Sequence, residues 1–163
     1  MEARTDILII EMSETWLSFG AIILMQIVFF ALTACYFKKP PTAKLLLLGI
    51  VIGTPIGLLY DIILGSYFSL FSYTLGFKMQ FLLLNASLSY GLFVATTLLL
   101  EKVSTIHFVI WLSVLVSVYE MTNLFFPVWS YNFTLPLIPF LMLCLIGYSS
   151  GALLASFIAK LIF

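Results

Sequence analysis

The chain has 163 residues, of which 63% are hydrophobic and only 9% are charged, whereas a soluble domain typically carries about 25% charged residues. Seven basic and seven acidic side chains give a formal net charge of zero, so nothing indicates nucleic acid or an acidic ligand as a partner. The length suits one compact bundle, without room for a second domain. The composition therefore predicts an integral membrane protein.

Five apolar stretches are long enough to cross a hydrocarbon core about 30 Å thick, which takes about 20 helical residues. Helices are predicted over residues 16–37, 44–65, 78–100, 105–125 and 134–162. Residues 38–41, Lys-Lys-Pro-Pro, end the first, since proline cannot continue a helix and lysine must reach water. The sequence thus predicts an all-α, multi-pass bundle in the cell membrane. Residues 16–163 form its single transmembrane domain, and residues 1–15 form an acidic segment that is either a surface helix or disordered.

Two linkers between predicted helices are rich in aromatic residues. Residues 66–77 alternate aromatic and small polar side chains, among them Phe71, Tyr73 and Phe77, which is typical of a segment at the membrane surface. Residues 126–133 form a short loop with Trp129 and Tyr131. Both linkers are predicted on the same face of the membrane.

The basic residues predict the orientation, because cytoplasmic loops carry an excess of lysine and arginine. Those on one face are Lys38, Lys39, Lys44, Lys102 and Lys160. Arg4 and Lys78 fall on the other face. The N-terminus is therefore predicted outside, the C-terminus inside, and both aromatic linkers outside.

Small residues at four-residue spacing predict where helices touch, since close backbone approach drives packing in lipid. The second and third predicted helices carry Gly49, Gly53, Gly57, Ser87, Gly91 and Ala95. The fifth carries Gly147, Gly151, Ala155 and Ala159. These stripes indicate a tightly packed bundle.

Two carboxylates, Asp61 and Glu120, lie inside predicted helices. A charged side chain at mid-membrane costs about 2.5–3.5 kcal/mol on insertion scales, so such residues usually face the protein interior and often have a function. Asp61 comes four residues after Gly57 and Glu120 three after Ser117, which places both toward neighbouring helices. The alternative is a structural role, with both acids near enough to the surface to meet water, or with Lys78 as the partner of Asp61.

The surroundings of the two acids repeat in order along the chain. Tyr60-Asp61 is followed by Phe71-Ser72-Tyr73, and Tyr119-Glu120 is followed by Trp129-Ser130-Tyr131. The order predicts a parallel internal duplication, with helices two and three matching helices four and five. A pseudo-two-fold axis along the membrane normal would then bring the two acids together at one depth.

Two carboxyl groups in a low-dielectric site suggest acid–base chemistry, because one of a close pair tends to stay neutral while the other ionises. Asp61 and Glu120 are therefore the candidate catalytic residues. The candidate substrate-binding residues are Tyr60, Tyr119, Tyr73, Tyr131, Trp129 and Asn85. Aromatic walls of this kind stabilise a carbocation formed by protonation of an alkene. No cluster of histidine and cysteine predicts a metal site, and no cofactor is expected.

Residues 30–100 resemble the membrane lycopene cyclase domain of carotenoid synthesis. The shared features are a first helix ending in basic residues, Tyr60-Asp61 near the end of the second, Gly65, and the Phe71-Ser72-Tyr73 linker before the third. That resemblance implies an intramembrane cyclase that protonates an isoprenoid alkene through carboxylates. The Pro-Leu-Glu-Glu motif of that family has no counterpart, the nearest string being Pro-Leu-Ile-Pro at 136–139. Only Asp61 therefore carries over, with Glu120 as its equivalent in the repeat.

Three functional hypotheses follow from these features. The first is a cyclase or isomerase acting on an isoprenoid or another apolar lipid. The second is a non-catalytic subunit or scaffold that uses its small-residue faces, such as those at Gly53 and Gly151, to hold helices of a second copy of itself or of another membrane protein. The third is a small transporter with the carboxylates as a proton or cation site.

Overall fold

The computed structural model describes residues 2–74, 78–100, 104–132 and 134–162, with side chains described from Thr15 onward except at 137 and 162. Two residues used in the sequence-based predictions, Phe77 and Lys102, lie outside this part of the chain.

The described residues form five long helices. These are α1 (Glu2–Tyr36), α2 (Ala43–Tyr67), α3 (Met79–Leu100), α4 (Thr105–Phe125) and α5 (Leu137–Ile162). Each contains a stretch long and apolar enough to cross a membrane, which confirms the predicted number of spanning helices. The helical backbone of α1 also includes the acidic residues before Trp16.

Local sequence explains how α1 ends and α2 begins. Lys38 adopts a left-handed backbone conformation (φ 52°) just beyond α1, and the Lys39 N–H bonds the Ala34 carbonyl at 2.9 Å. The Thr42 hydroxyl then accepts a hydrogen bond from the Leu45 N–H at 3.2 Å, which caps the start of α2. Pro40 and Pro41 lie between these two helix ends, as expected.

The aromatic linkers contain a small sheet, so the fold is mostly rather than wholly helical. Strand β1 (Phe71–Tyr73) pairs antiparallel with β2 (Trp129–Tyr131), and Ser72 stands opposite Ser130. Their hydroxyls lie 3.1 Å apart. The strands pair because the backbone N–H and C=O groups of each linker need hydrogen-bond partners. Two aromatic-rich linkers at one end of the bundle supply these partners to each other.

Two helices contain segments of wider π-helical winding. In α2 this segment is Asp61–Tyr67, and in α3 it is Ala86–Tyr90. Such turns are rare and occur frequently at functional sites, because they redirect the side chains that leave the helix. Here one segment begins at a candidate catalytic residue.

The predicted small-residue stripes join α2 to α3. A Cβ atom at Gly53 would lie 2.7 Å from the Tyr90 carbonyl and 2.8 Å from the Gly91 Cα, and one at Gly57 would meet the Tyr90 ring. Gly49 likewise faces Ala95. The glycines therefore let two backbones approach more closely than any side chain would permit.

Helix α1 packs in the groove between α3 and α4. Its Phe19 and Ile22 share an apolar cluster with Tyr119 and Trp129. Near the same place, Gln26 Nε2 donates a hydrogen bond to Ser89 Oγ at 3.1 Å. This helix therefore fills the groove with both apolar and polar contacts.

We expect Gly53→Ala to lower the free energy of unfolding by about 1–3 kcal/mol, because the added methyl group would press against the α3 backbone. Thermal unfolding in detergent measures the change. Gly20→Ala is the matched control, since nothing lies within 4 Å of a Cβ atom there. Equal stability of the two variants would contradict the close approach of α2 and α3.

Candidate functional site

Asp61 is fully buried (0% exposed) in a cluster of neutral hydrogen-bond donors. Its Oδ1 accepts hydrogen bonds from the Tyr73 hydroxyl at 2.7 Å and the Tyr90 hydroxyl at 3.3 Å. Asn85 Nδ2 donates to Oδ2 at 3.4 Å and to the Tyr73 oxygen at 2.9 Å. Lys78, the partner considered from sequence, is exposed instead. The cluster ties the end of α2 to β1 and α3.

Glu120 is the centre of a second cluster and is 3% exposed. Its Oε1 accepts hydrogen bonds from the Tyr131 hydroxyl at 2.9 Å and the Tyr148 hydroxyl at 3.3 Å. The Cys144 thiol lies 3.8 Å from the Tyr131 oxygen. This cluster ties α4 to β2 and α5.

The tyrosine donors of the two clusters occupy matching places along the chain. Tyr73 lies 12 residues after Asp61, and Tyr131 lies 11 after Glu120. Tyr90 lies 29 residues after Asp61, and Tyr148 lies 28 after Glu120. Each acid thus takes one phenol from the strand that follows it and one from the next helix.

The tyrosines that precede the acids make a second set of matching contacts. The Tyr60 hydroxyl reaches Ser150 Oγ and lies 3.5 Å from the Gly147 carbonyl, both in α5. The Tyr119 hydroxyl lies 2.7 Å from Ser89 Oγ in α3. Each of these tyrosines therefore bonds across to the other pair of helices.

A cavity of about 300 Å³ lies between α2, α3 and α5, next to the sheet. Its lining is apolar apart from four phenols and one thiol: Ile56, Tyr60, Leu64, Leu70, Phe71, Tyr90, Phe93, Tyr131, Leu143, Cys144, Ile146, Gly147, Tyr148 and Gly151. We call it the tyrosine pocket. The tyrosine pocket opens on the surface of the bundle, as the exposure of Leu70, Leu143 and Ile146 in its lining shows.

The two carboxylates lie behind the wall of the tyrosine pocket. Tyr90 separates Asp61 from it, while Tyr131 and Tyr148 separate Glu120 from it. The two acids take their hydrogen bonds from different side chains. Neither acid lines the cavity itself, and each contacts it through side chains that do.

Of the substrate-binding residues predicted from sequence, Tyr60 and Tyr131 line the pocket. The other predicted residues lie in the supporting clusters: Tyr73, Tyr119, Trp129 and Asn85. Sequence analysis missed Tyr90 and Tyr148. Extending the repeat beyond the Ser-Tyr pairs into α3 and α5 would have found both.

The phenols of the two strands are poor acids. Burial, followed by the effect of nearby Tyr90 and Asp61, raises the pKa of Tyr73 above its ordinary value. Burial and then Glu120 raise the pKa of Tyr131. Both phenols therefore stay protonated and act as hydrogen-bond donors.

The fold and its five apolar spans define a multi-pass membrane protein. No protein-family model matches the chain, and no curated protein or solved structure matches it. The resemblance to the lycopene cyclase domain therefore rests on the sequence motifs alone.

We expect Tyr73→Phe to lower the free energy of unfolding by about 1–3 kcal/mol, because a buried carboxyl group would lose its shortest hydrogen bond. Thermal unfolding in detergent measures this. Tyr67→Phe makes the same chemical change at a side chain that is 80% exposed and should leave stability unchanged. A Tyr73 variant as stable as that control would show that the hydrogen bond from Tyr73 to Asp61 contributes nothing to stability.

Proposed function

We propose that the protein binds the apolar chain of a lipid, such as an isoprenoid, in the tyrosine pocket. The observation that carries this proposal is an apolar cavity of about 300 Å³ whose lining includes exposed apolar residues on the surface of the helix bundle. Small-molecule sites are typically concave, mostly apolar and supplied with a few placed polar groups, from about 300 Å³ upward. The tyrosine pocket has each of these properties.

Hydrogen bonds hold the pocket wall in place before any ligand arrives. Tyr90 and Tyr148 are fixed by the buried acids, and Tyr60 is fixed by Ser150. Rings held in this way lose little conformational freedom on binding, which favours affinity. The two acids accordingly act first as supports for the binding site.

We expect Gly147→Leu to reduce the amount of lipid that copurifies with the protein by at least about fivefold, because the leucine would occupy part of the pocket from a position where a Cβ atom meets no protein atom within 4 Å. Mass spectrometry of lipid extracts from purified protein measures this. Gly20→Leu is the matched control. A Cβ atom at Gly20 would also have no protein atom within 4 Å, but Gly20 lies on α1 and does not line the pocket. Equal loss from both variants, or no loss from either, would refute lipid binding at this place.

Isomerisation or cyclisation of the bound chain is the second candidate function. The observation that favours it is the position of each acid, one phenol away from the pocket. A phenol is a weak acid, so protonation of an alkene requires a tyrosine to rotate aside and expose its carboxyl group. The proton added at one carbon would be removed from another, leaving the mass of the product unchanged. Binding needs no such movement and is therefore our first proposal.

If the acids are catalytic, Asp61→Asn/Glu120→Gln should abolish a product that the wild type forms in a host rich in isoprenoids. That product would have the mass of its precursor but a different chromatographic retention, and lipid extracts analysed by mass spectrometry would reveal it. Identical lipid profiles, with both proteins folded and loaded with lipid, would exclude this activity in that host and leave the binding proposal intact.

The scaffold hypothesis would need surfaces other than the glycine faces first considered for it. Gly49, Gly53 and Gly57 pack within the chain, and Gly151 contributes to the pocket. Bulky substitutions on α2 would therefore disturb the fold itself rather than a complex. A second copy of the chain or another membrane protein remains a proposed partner, and the carboxylates remain the proposed ion site of a transporter.

We also propose that α2–β1–α3 and α4–β2–α5 are duplicated units related by a pseudo-two-fold axis. The strand register supports this, because such an axis between Ser72 and Ser130 exchanges the two strands. The flanking bonds agree: the Thr74 N–H donates to the Val128 carbonyl and the Asn132 N–H to the Leu70 carbonyl, both at 2.9 Å. The basic residues support a sheet on the outer face and an outer N-terminus.

This duplication gives the pocket a structural origin. Helix α1 fills a groove beside Tyr119 and Ser89, and the same axis would exchange these residues with Tyr60 and Gly147. Those two residues line the tyrosine pocket. The pocket is thus the counterpart of the groove that α1 fills.

A further inference from the structure

Five of the side chains that line the tyrosine pocket carry a hydrogen-bond donor. They are Tyr60, Tyr90, Tyr131, Tyr148 and Cys144, and the rest of the lining is aliphatic residues, phenylalanine and glycine. The direction in which each of these hydrogens points decides which polar ligand the pocket accepts.

Three of the phenols donate to the buried acids. Tyr90 donates to Asp61 Oδ1 at 3.3 Å, while Tyr131 and Tyr148 donate to Glu120 Oε1 at 2.9 and 3.3 Å. The two phenols on Glu120 meet the same oxygen, which accepts hydrogen bonds even when the other oxygen carries a proton. These three hydrogens therefore point away from the cavity.

The two remaining groups are also engaged. The Tyr60 hydroxyl reaches both Ser150 Oγ and the Gly147 carbonyl, so its hydrogen has an acceptor within the protein in either arrangement of the Ser150 hydroxyl. The Cys144 thiol points to the Tyr131 oxygen at 3.8 Å. Each hydrogen in the set is thus donated within the protein, so Tyr60, Tyr90 and Tyr148, which line the cavity, can offer a ligand only the lone pairs of their oxygens.

We propose that the ligand of the tyrosine pocket is a long-chain alcohol, whose hydroxyl donates to a phenol oxygen while its apolar chain fills the cavity. This inference rests on the proposed lipid binding and specifies its ligand. A quinone, ketone or ester has oxygens that only accept, so its polar group would lose its water without gaining a bond. A neutral hydroxyl group also costs less to bury than an ammonium group.

The test compares geranylgeraniol with its methyl ether, which keeps the chain and the oxygen but removes the donor. Both are titrated into the purified full-length protein in nanodiscs, and bound ligand is counted by native mass spectrometry. We expect the alcohol to bind about two- to tenfold more tightly, the effect of one hydrogen bond. Equal affinity for the two ligands, or tighter binding of an isoprenoid quinone than of the alcohol, would overturn the inference.

Single tyrosine variants locate the accepting oxygen. At least one of the variants Tyr60→Phe, Tyr90→Phe and Tyr148→Phe should abolish the preference, so that the alcohol and its methyl ether bind with about equal affinity. Tyr36→Phe, at an exposed side chain of α1 outside the pocket, should retain the preference. A preference unchanged in each of the three pocket variants, with all of them folded by thermal unfolding, would contradict a phenol acceptor.

The Gly147→Leu variant distinguishes a failure of the alcohol preference from a failure of lipid binding itself. If alcohol and ether bind equally and Gly147→Leu blocks both, lipid binding stands and the preference for a donor is wrong. If neither ligand binds, or Gly147→Leu leaves their binding intact, lipid binding at this pocket is itself wrong. A transmembrane segment of another protein found bound there instead would have the same consequence.

Discussion

A carboxyl group buried inside a membrane bundle must receive its hydrogen bonds from the protein, because no bulk water is present to supply them. Asp61 meets this constraint with donors from β1 and α3, and Glu120 meets it with donors from β2 and α5. Each acid thereby joins its own helix to the strand and the helix that follow it. The pairing of the two strands then links the two sets of elements.

The same constraint determines the chemistry of the pocket wall. A tyrosine that lines the cavity and donates its hydroxyl hydrogen to a buried carboxylate can offer a ligand only its ring and the lone pairs of its oxygen. Tyr90 and Tyr148 are both oriented in this way. In the proposed binding site, the acids would therefore influence a ligand through the direction of the phenol hydrogens, even though neither acid lines the cavity. Protein stability and ligand selectivity would then depend on the same hydrogen bonds.

The sequence predicts the helices well because lipid sets both their length and their composition, and it singles out Asp61 and Glu120 because charge is rare within such stretches. The two strands are not predictable in the same way. Each has three residues, too few to carry a pattern, and each is stable only because the other linker lies beside it. The π-helical segment at Asp61 also has no simple sequence signal. The pocket stays open because α1 packs on the other side of the bundle, and hydropathy does not encode the side on which a helix packs.

The position of α1 makes the two sides of the bundle unequal under the proposed duplication. On one side, Gln26 of α1 bonds Ser89, and Phe19 and Ile22 fill the groove. On the other side, Gly147 replaces the serine, its carbonyl is bonded within the chain, and no described helix covers the space. A single helix added to a two-fold arrangement can close only one of two equivalent grooves. Under these proposals, one open groove per chain is a consequence of the topology, and the residues of α1 that fill its counterpart suggest the size and apolar character of a ligand for the open groove.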